Sequence, residues 1–306
     1  MTTSRLVLSV ALAVSGCGDP PPPIDPAAHS ADVEAWREWR HADLMQPDGW
    51  LSLVGLYWLE PGRNTFGADP QSRIVFPPEN APANIGQFVL DNDIVSMTVR
   101  SNLGVQVDGK LARWYMMSDP SLSESPVATM GSLRWHVIER QERFAIRLKD
   151  SLSSTRTEFP GVEMFDLNPE WRFVATFDRY DPPKTIKVPN ILGTVSDQPS
   201  PGAVVFKVGR KKYRLDVTQE RDNPNYFIAF ADSTNGFETY GGGRFVWVDV
   251  EDKNGRVVLD FNKSCNPPCV FTDYATCPLP PRQNRLPLQI EAGEKDFKAP
   301  QMTLKL

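Results

Sequence analysis

Asp232, Tyr240, Arg244, Asp260, Asn262 and Asn266 are the residues whose types and spacing could do chemistry in this 306-residue chain. Asp232 follows the apolar run Tyr226–Phe230 and opens Asp-Ser-Thr-Asn-Gly236. Asp260 sits inside Val257-Val-Leu-Asp-Phe-Asn262. Strand alternation gives Val257, Leu259 and Phe261 one face, and Val258, Asp260 and Asn262 the other. The preceding run, Phe245-Val-Trp-Val-Asp-Val250, joins it through Asp252-Lys-Asn-Gly255. As a hairpin in either register, it puts Trp247 and Asp249 on the face of Asp260 and Asn262. An aromatic ring beside an acid and an amide suits a sugar or small polar ligand; the alternative is a wet face that Trp247 covers.

Tyr240 and Arg244 flank Gly241-Gly242-Gly243, where backbone can approach closely. That run either cradles an anion through its N–H groups or forms a turn in which Cβ would clash. Tyr240, Arg244, Asp260, Asn262 and Asn266 are expected to form one polar ligand site, with Arg244 and Asp260 partly buried and paired. Alternation places Arg244 opposite Asp260, so the pairing requires a bulge at the glycines. Two readings stay open: a binding site, or a buried polar staple holding the following loop. A hydrolase would instead use Asp232 and Asp260 as acid and base, with Arg244 binding an anion. No Gly-x-Ser-x-Gly, His-Glu-x-x-His, Walker or Gly-x-Gly-x-x-Gly signature accompanies them.

The loop is the segment 259–285, rich in proline and carrying Cys265, Cys269 and Cys277. Prolines fix φ and remove donors, so it reads as a rigid, shaped element. Pro267-Pro268 holds Cys265 and Cys269 roughly 12 Å apart at about 3.1 Å per residue. That exceeds the ~7 Å reach of a bridge. A disulfide is therefore expected between Cys269 and Cys277, leaving Cys265 free. Zinc is the poorer reading, because His29, His41 and His136 are remote in sequence; no metal or cofactor is expected. His29 falls in the N-terminal tether, His41 late on the first helix, and His136 beside Trp135 on a strand.

The elements that must position these groups are mostly strands. The composition is 41% hydrophobic and 23% charged with net charge −5, which argues against nucleic acid as a partner. A helix over 31–44, capped by Ser30, carries the apolar stripe Val33, Trp36 and Trp39. Short strands follow at 51–59, 64–66, 73–76, 86–90, 95–99 and 105–107, then a hairpin of 135–140 and 144–149 around Gln141-Glu142. Proline-punctuated stretches, 166–172 and Tyr180-Asp-Pro-Pro183, mark a bridge. Strands at 204–208 and 212–217 flank Gly209-Arg210, and 226–230, 244–250, 257–261 and 286–290 complete the set.

At the N-terminus, Arg5 and an apolar run over 6–14 read as an export signal. Val14-Ser15-Gly16-Cys17 resembles a bacterial lipoprotein lipobox, which implies lipid attachment at Cys17. The expected organisation is a signal peptide over 1–17 and a Pro-rich tether over 18–30. A helix plus β-sandwich over 31–150 and a β domain with the Pro/Cys-rich loop over 151–306 follow. The expected fold is two packed sandwich- or barrel-like β units with a short N-terminal helix.

Asn64-Thr-Phe-Gly-Ala-Asp-Pro70, Arg73-Ile-Val-Phe-Pro77 and Val107-Asp-Gly-Lys110 resemble a forkhead-associated β-sandwich. That fold binds phosphothreonine through a loop arginine and serine. Here Ala68 stands where the arginine is expected, and Ile85-Gly-Gln-Phe88 lacks the Ser and His pattern, so the resemblance implies architecture only.

The run from Asp232 through Tyr240-Gly-Gly-Gly-Arg-Phe245, the block 259–281 and Gly49-Trp-Leu-Ser-Leu-Val-Gly-Leu-Tyr-Trp-Leu59 resemble the domain-of-unknown-function 1684 family. The family has an aromatic where Cys265 stands, which implies that Cys265 is the unpaired thiol. The family assigns no activity. The leading expectation is an exported lipoprotein of the cell envelope, on the periplasmic side or the cell surface, that binds a small polar ligand or carbohydrate. The alternatives are the Asp232/Asp260 hydrolase and a scaffold for protein partners. Oligomeric state is not legible.

Overall fold

Period-two burial organises the first half of the chain. The computed structural model describes residues 25–120, 122, 124–219 and 223–298. Eleven strands form the first unit: β1 (Leu53–Trp58), β2 (Gly62–Gly67), β3 (Ile74–Val75), β4 (Gly86–Asp91), β5 (Ile94–Val99), β6 (Gln106–Val107), β7 (Lys110–Leu111), β8 (Trp114–Ser118), β9 (Ala128–Met130), β10 (Leu133–Arg140) and β11 (Arg143–Asp150). One sheet runs β3-β2-β4-β5-β8, the other β1-β11-β10-β9-β6-β7. Phe66, Phe76, Phe88, Met97 and Trp135 fill the space between them. The Trp135 indole donates to Met97 Sδ at 3.4 Å, so the buried N–H is satisfied. Residues 50–52 form a 3-10 turn, and the strand expected over 51–59 begins only at Leu53. The expected hairpin forms around Gln141 and Glu142, both in the left-handed region at φ 50° and 62°. β8 and β9 were not legible, being short segments without clean alternation.

The second unit contains β12 (Arg172–Pro189), β13 (Val195–Val208), β14 (Lys211–Asp216), β15 (Tyr226–Phe230), β16 (Arg244–Val248) and β17 (Arg256–Asp260). A four-stranded sheet, β14-β13-β12-β17, faces the two-stranded ribbon β15-β16. Phe206, Phe230, Val246, Leu259 and Phe261 pack between them. Three sequence expectations change here. Tyr180-Asp-Pro-Pro183 does not end a strand: β12 runs through it, with a register shift between Arg179 and Lys184 where the prolines need not donate. The β16–β17 hairpin does not form, because β16 pairs with β15, and β17 pairs with β12. The Asp252-Lys-Asn-Gly255 connection therefore carries the chain from ribbon to sheet. Residues 286–290 form no strand; the carbonyl of Ile290 accepts from Arg244 instead of a ladder partner.

Helix α1 (Pro26–Leu44) starts earlier than Ser30. Asp25 caps it by accepting from Ala27 N at 3.0 Å, and Pro26 takes the first turn, where its missing N–H costs nothing. His29 is thus helical and buried, not part of a tether. The buried positions are His29, Val33, Arg40 and Leu44, with Trp36 partly buried, while Trp39 is 58% exposed. The stripe is rotated from the expected one because Arg40 finds a buried carboxylate. The helix docks on the second unit through His29–Asp260, Arg40–Glu294 and Lys263–Asp32. Among the described residues no helix is long and apolar enough to cross a membrane. The signal segment and Cys17 lie outside the described residues.

Candidate ligand-binding cleft

Arg244 is completely buried, and its Nη2 lies 2.7 Å from Asp232 Oδ2. The same guanidinium donates to the carbonyls of Ile290 and Ala292. The other carboxylate oxygen of Asp232 accepts from Thr234 N and Oγ1. The glycine run is a turn: a Cβ on Gly243, at φ +91°, would lie 2.7 Å from Phe230 O and 2.4 Å from Pro280 Cγ. Arg244 therefore meets Asp232, and the expected pairing with Asp260 does not form.

Asp260 belongs to a separate network. Its Oδ2 is 2.7 Å from His29 Nε2, and its Oδ1 accepts from Asn262 N and Nδ2 at 3.0 and 2.8 Å. Asn262 clamps the backbone of Asn168 through both amide atoms. Asn266 joins the Arg244 network at Glu294: its N–H donates to Glu294 Oε2 at 2.6 Å and its carbonyl accepts from Arg40 Nη2, while the Glu294 carbonyl accepts from Arg244 Nη1 at 3.5 Å. Arg40 Nε reaches Glu294 Oε1 at 2.8 Å. Tyr240 pairs with Cys269 instead, and burial raises its hydroxyl pKa. Of the five predicted ligand residues, Asp260 and Asn262 bond each other and Arg244 and Asn266 meet at Glu294, while Tyr240 lies apart; these networks fasten the Pro/Cys loop and α1 to the sheets. Asp232 and Asp260 share no partner, so no acid–base pair is assembled. Sequence reasoning missed His29, Arg40 and Glu294.

Cys265, Cys269 and Cys277 are unbridged. The expected Cys269–Cys277 disulfide is not formed; Cys277 Sγ accepts from the Cys269 N–H at 3.1 Å. Cys265 packs among Leu53, Ala229 and Phe245, and burial pushes its thiol up to about 12. Among the described residues no His, Cys, Asp and Glu cluster could hold a metal.

The geometry that does converge is a cleft of about 710 Å³ between α1 and the edges of β16 and β17. Alternation builds its floor. Val246 and Val248 turn into the core, leaving Trp247 outside; Val257 and Leu259 turn inward, leaving Val258 and Asp260 outside. Helix α1 supplies Trp36 and Trp39, and the 3-10 turn before β1 supplies Trp50. Trp247 is 41% exposed and rests 5.2 Å from Phe227, which fixes the ring. Asp249, Asn223 and Asn225 line the same space. Most charges here are paired: Lys263 with Asp32 at 2.8 Å, Arg40 with Asp43 at 3.8 Å, and Arg172 with Asp260 at 3.9 Å. The Asp249 carboxylate has no hydrogen-bond or ion-pair partner among the described residues, so its lone pairs are free for a ligand. Trp247, Asp249 and Asp260 share this space as alternation predicts, although their strands belong to different sheets.

No curated protein matches the chain. Among solved structures, an uncharacterized protein from Haloarcula marismortui is 26% identical, with 46% of this chain and 80% of that chain covered and a TM-score of 0.39. A forkhead-associated domain from a study of phosphothreonine-dependent interactions is 13% identical, covers 31% of this chain and 92% of its own, and has a TM-score of 0.22. The segment 157–295, which carries Trp247, Asp249, Asp260 and the whole Pro/Cys loop, matches the model of the family described as protein of unknown function (DUF1684).

Proposed function

We propose that the tryptophan-lined cleft binds a carbohydrate or comparable small polar ligand, in an exported protein anchored to the cell envelope by lipid at Cys17. The observation that carries the binding reading is the convergence of Trp36, Trp39, Trp50 and Trp247 with the unpartnered Asp249 carboxylate in one cleft. Sugar rings present apolar C–H faces that stack on indole and hydroxyls that donate to carboxylates. A cleft that sets indole faces among polar and charged groups suits such a ligand. Catalysis is supported less, because Asp232 is enclosed by Arg244 and Thr234. The anchor rests on the apolar run ending in Val14-Ser15-Gly16-Cys17; several acyl chains hold a protein firmly, where one holds it marginally.

Titration of the intrinsic fluorescence with a panel of neutral oligosaccharides tests the binding. At least one should produce a saturable change, which Trp39→Ala and Trp247→Ala each reduce by tenfold or more in affinity. Trp114→Ala, an exposed residue of the first sandwich, serves as control and should leave it unchanged. A panel that gives no saturable change, or equal loss in all three variants, rejects the reading. For the anchor, Cys17→Ser should move the protein from the membrane to the soluble fraction; a wild type already soluble rejects it.

A further inference from the structure

The outer face of the first sandwich carries a second constellation. Register pairs Arg134 with Lys149 and His136 with Arg147 across β10 and β11, and Arg140 follows on the same face two pairs further on. This face meets the Pro/Cys loop at Thr276. The acid serving it is Asp48, which takes the Arg134 guanidinium by its carboxylate and the Lys149 ammonium by its carbonyl. Arg140 and Arg147 have no carboxylate partner among the described residues. Yet Arg147 is only 7% exposed, its Nε has no acceptor, and its guanidinium lies 5.4 Å from the centre of the Trp50 ring. Arg140 Nε and Arg147 Nη2 converge on one atom, Thr276 Oγ1, at 3.3 and 3.5 Å.

Two guanidiniums aimed at one neutral hydroxyl form an unbalanced arrangement. Burying a charge without a counter-charge is costly, and the two cations also repel each other. We propose that Arg140 and Arg147 hold a tetrahedral oxyanion of the phosphate or sulfate class beside the Thr276 hydroxyl, at the seam between the first sandwich and the Pro/Cys loop. The anion would accept from both planar donor forks, give Arg147 Nε its missing acceptor, and accept the Thr276 proton. The titration behaviour of the face agrees. Burial and then Arg140 lower the Arg147 guanidinium to about 10, and burial with Arg147, Lys149, Arg134 and Arg140 lowers His136 to about 4. These are marks of a positive field around Arg140, Arg147 and His136. The site adjoins the tryptophan cleft through Trp50 but does not depend on the ligand proposed there.

The test compares melting temperatures of the full-length protein in chloride, phosphate and sulfate at matched ionic strength and pH 7.5. A ligand that binds the folded state alone raises the melting temperature in a saturable way. Phosphate or sulfate should do so for the wild type. Arg140→Gln should lose the rise while melting within about 2 °C of the wild type in chloride, as expected of a change at an exposed residue. Arg147→Met should lose it too. Non-specific salting stabilises all variants alike; an equal rise in the three proteins, or no rise in the wild type, overturns the proposal. Proton NMR gives an independent readout, since the chain has 3 histidines. Phosphate should raise the His136 titration midpoint in the wild type and not in Arg140→Gln; a midpoint that moves equally in both overturns it.

Discussion

His29 Nε2 lies 2.7 Å from Asp260 Oδ2, a buried contact that spans 231 positions and ties the first turns of α1 to the end of β17. The tryptophan cleft lies between those same two elements, so this contact fixes its width. His29→Ala should leave Asp260 with Asn262 and the more distant Arg172. A hydrogen bond to a charged group contributes about 1.5–3 kcal/mol, and urea unfolding should show a loss of about that size. Oligosaccharide affinity should fall with it, because Trp36 and Trp39 ride on the helix. A variant with unchanged unfolding midpoint would show that the helix is held by other contacts.

Arg244 and Asp232 form the deepest ion pair, with both side chains fully buried. Removing one partner strands the other charge, which costs roughly 3–5 kcal/mol. Arg244→Met should therefore lower stability by about that amount in urea unfolding. The double variant with Asp232→Asn should lose less than the sum of the two single changes, since each relieves the charge the other strands. Strict additivity would show that the two side chains act independently. Binding in the cleft, measured well below the melting temperature, should survive in Arg244→Met, because Arg244 does not line it.

The strands around the cleft were legible because period-two alternation is local: Val246, Val248, Val257 and Leu259 turn inward wherever their strands pair. The pairing itself was not legible. Asp252-Lys-Asn-Gly255 has the composition of a hairpin turn, yet the partners of β16 and β17 are chosen by the core that Phe230 and Phe261 complete. The buried networks were hidden for a different reason. Arg40 looks like a solvent-facing residue of the helix, and His29 like part of a tether, until Glu294 and Asp260 are known, and Glu294 is 254 positions from Arg40. The positions of the five polar residues were hidden for the same cause: their main partners, among them His29, Asn168 and Glu294, come from other segments.

His136 gives a pH dependence with a worked sign. Its pKa falls from 6.5 to about 4 through burial and the surrounding Arg147, Lys149, Arg134 and Arg140. Between those values the unfolded chain binds a proton that the folded protein refuses. Stability from this residue is complete above about pH 6.5 and declines as pH falls towards 4. His136→Gln should flatten that decline: in urea, the midpoint difference between pH 7.5 and pH 5.0 should be smaller in the variant. Equal differences would mean that His136 takes its proton in the folded state as readily as in the unfolded chain.

The three loop cysteines should separate by reactivity. Cys269 is lowered to about 7 by the hydrogen bond from Cys277, against the opposing effect of burial, and Cys277 is raised by the same contact. Cys265 is raised to about 12 by burial. The thiolate is the nucleophile, so brief treatment with iodoacetamide at pH 8 should label Cys269 first and Cys265 last. Cys269 and Cys277 already touch through the Cys269 N–H and Cys277 Sγ. A mild oxidant should therefore join this pair, and closing the short loop should add about 2.6 kcal/mol by chain entropy. Peptide mapping after differential alkylation would then find Cys265 as the remaining thiol of the Pro/Cys loop. Labelling of Cys265 as fast as Cys269, or an oxidised product that links Cys265 to either neighbour, would show that the apolar packing around Cys265 does not protect it and that the Cys269–Cys277 contact does not set the redox partner.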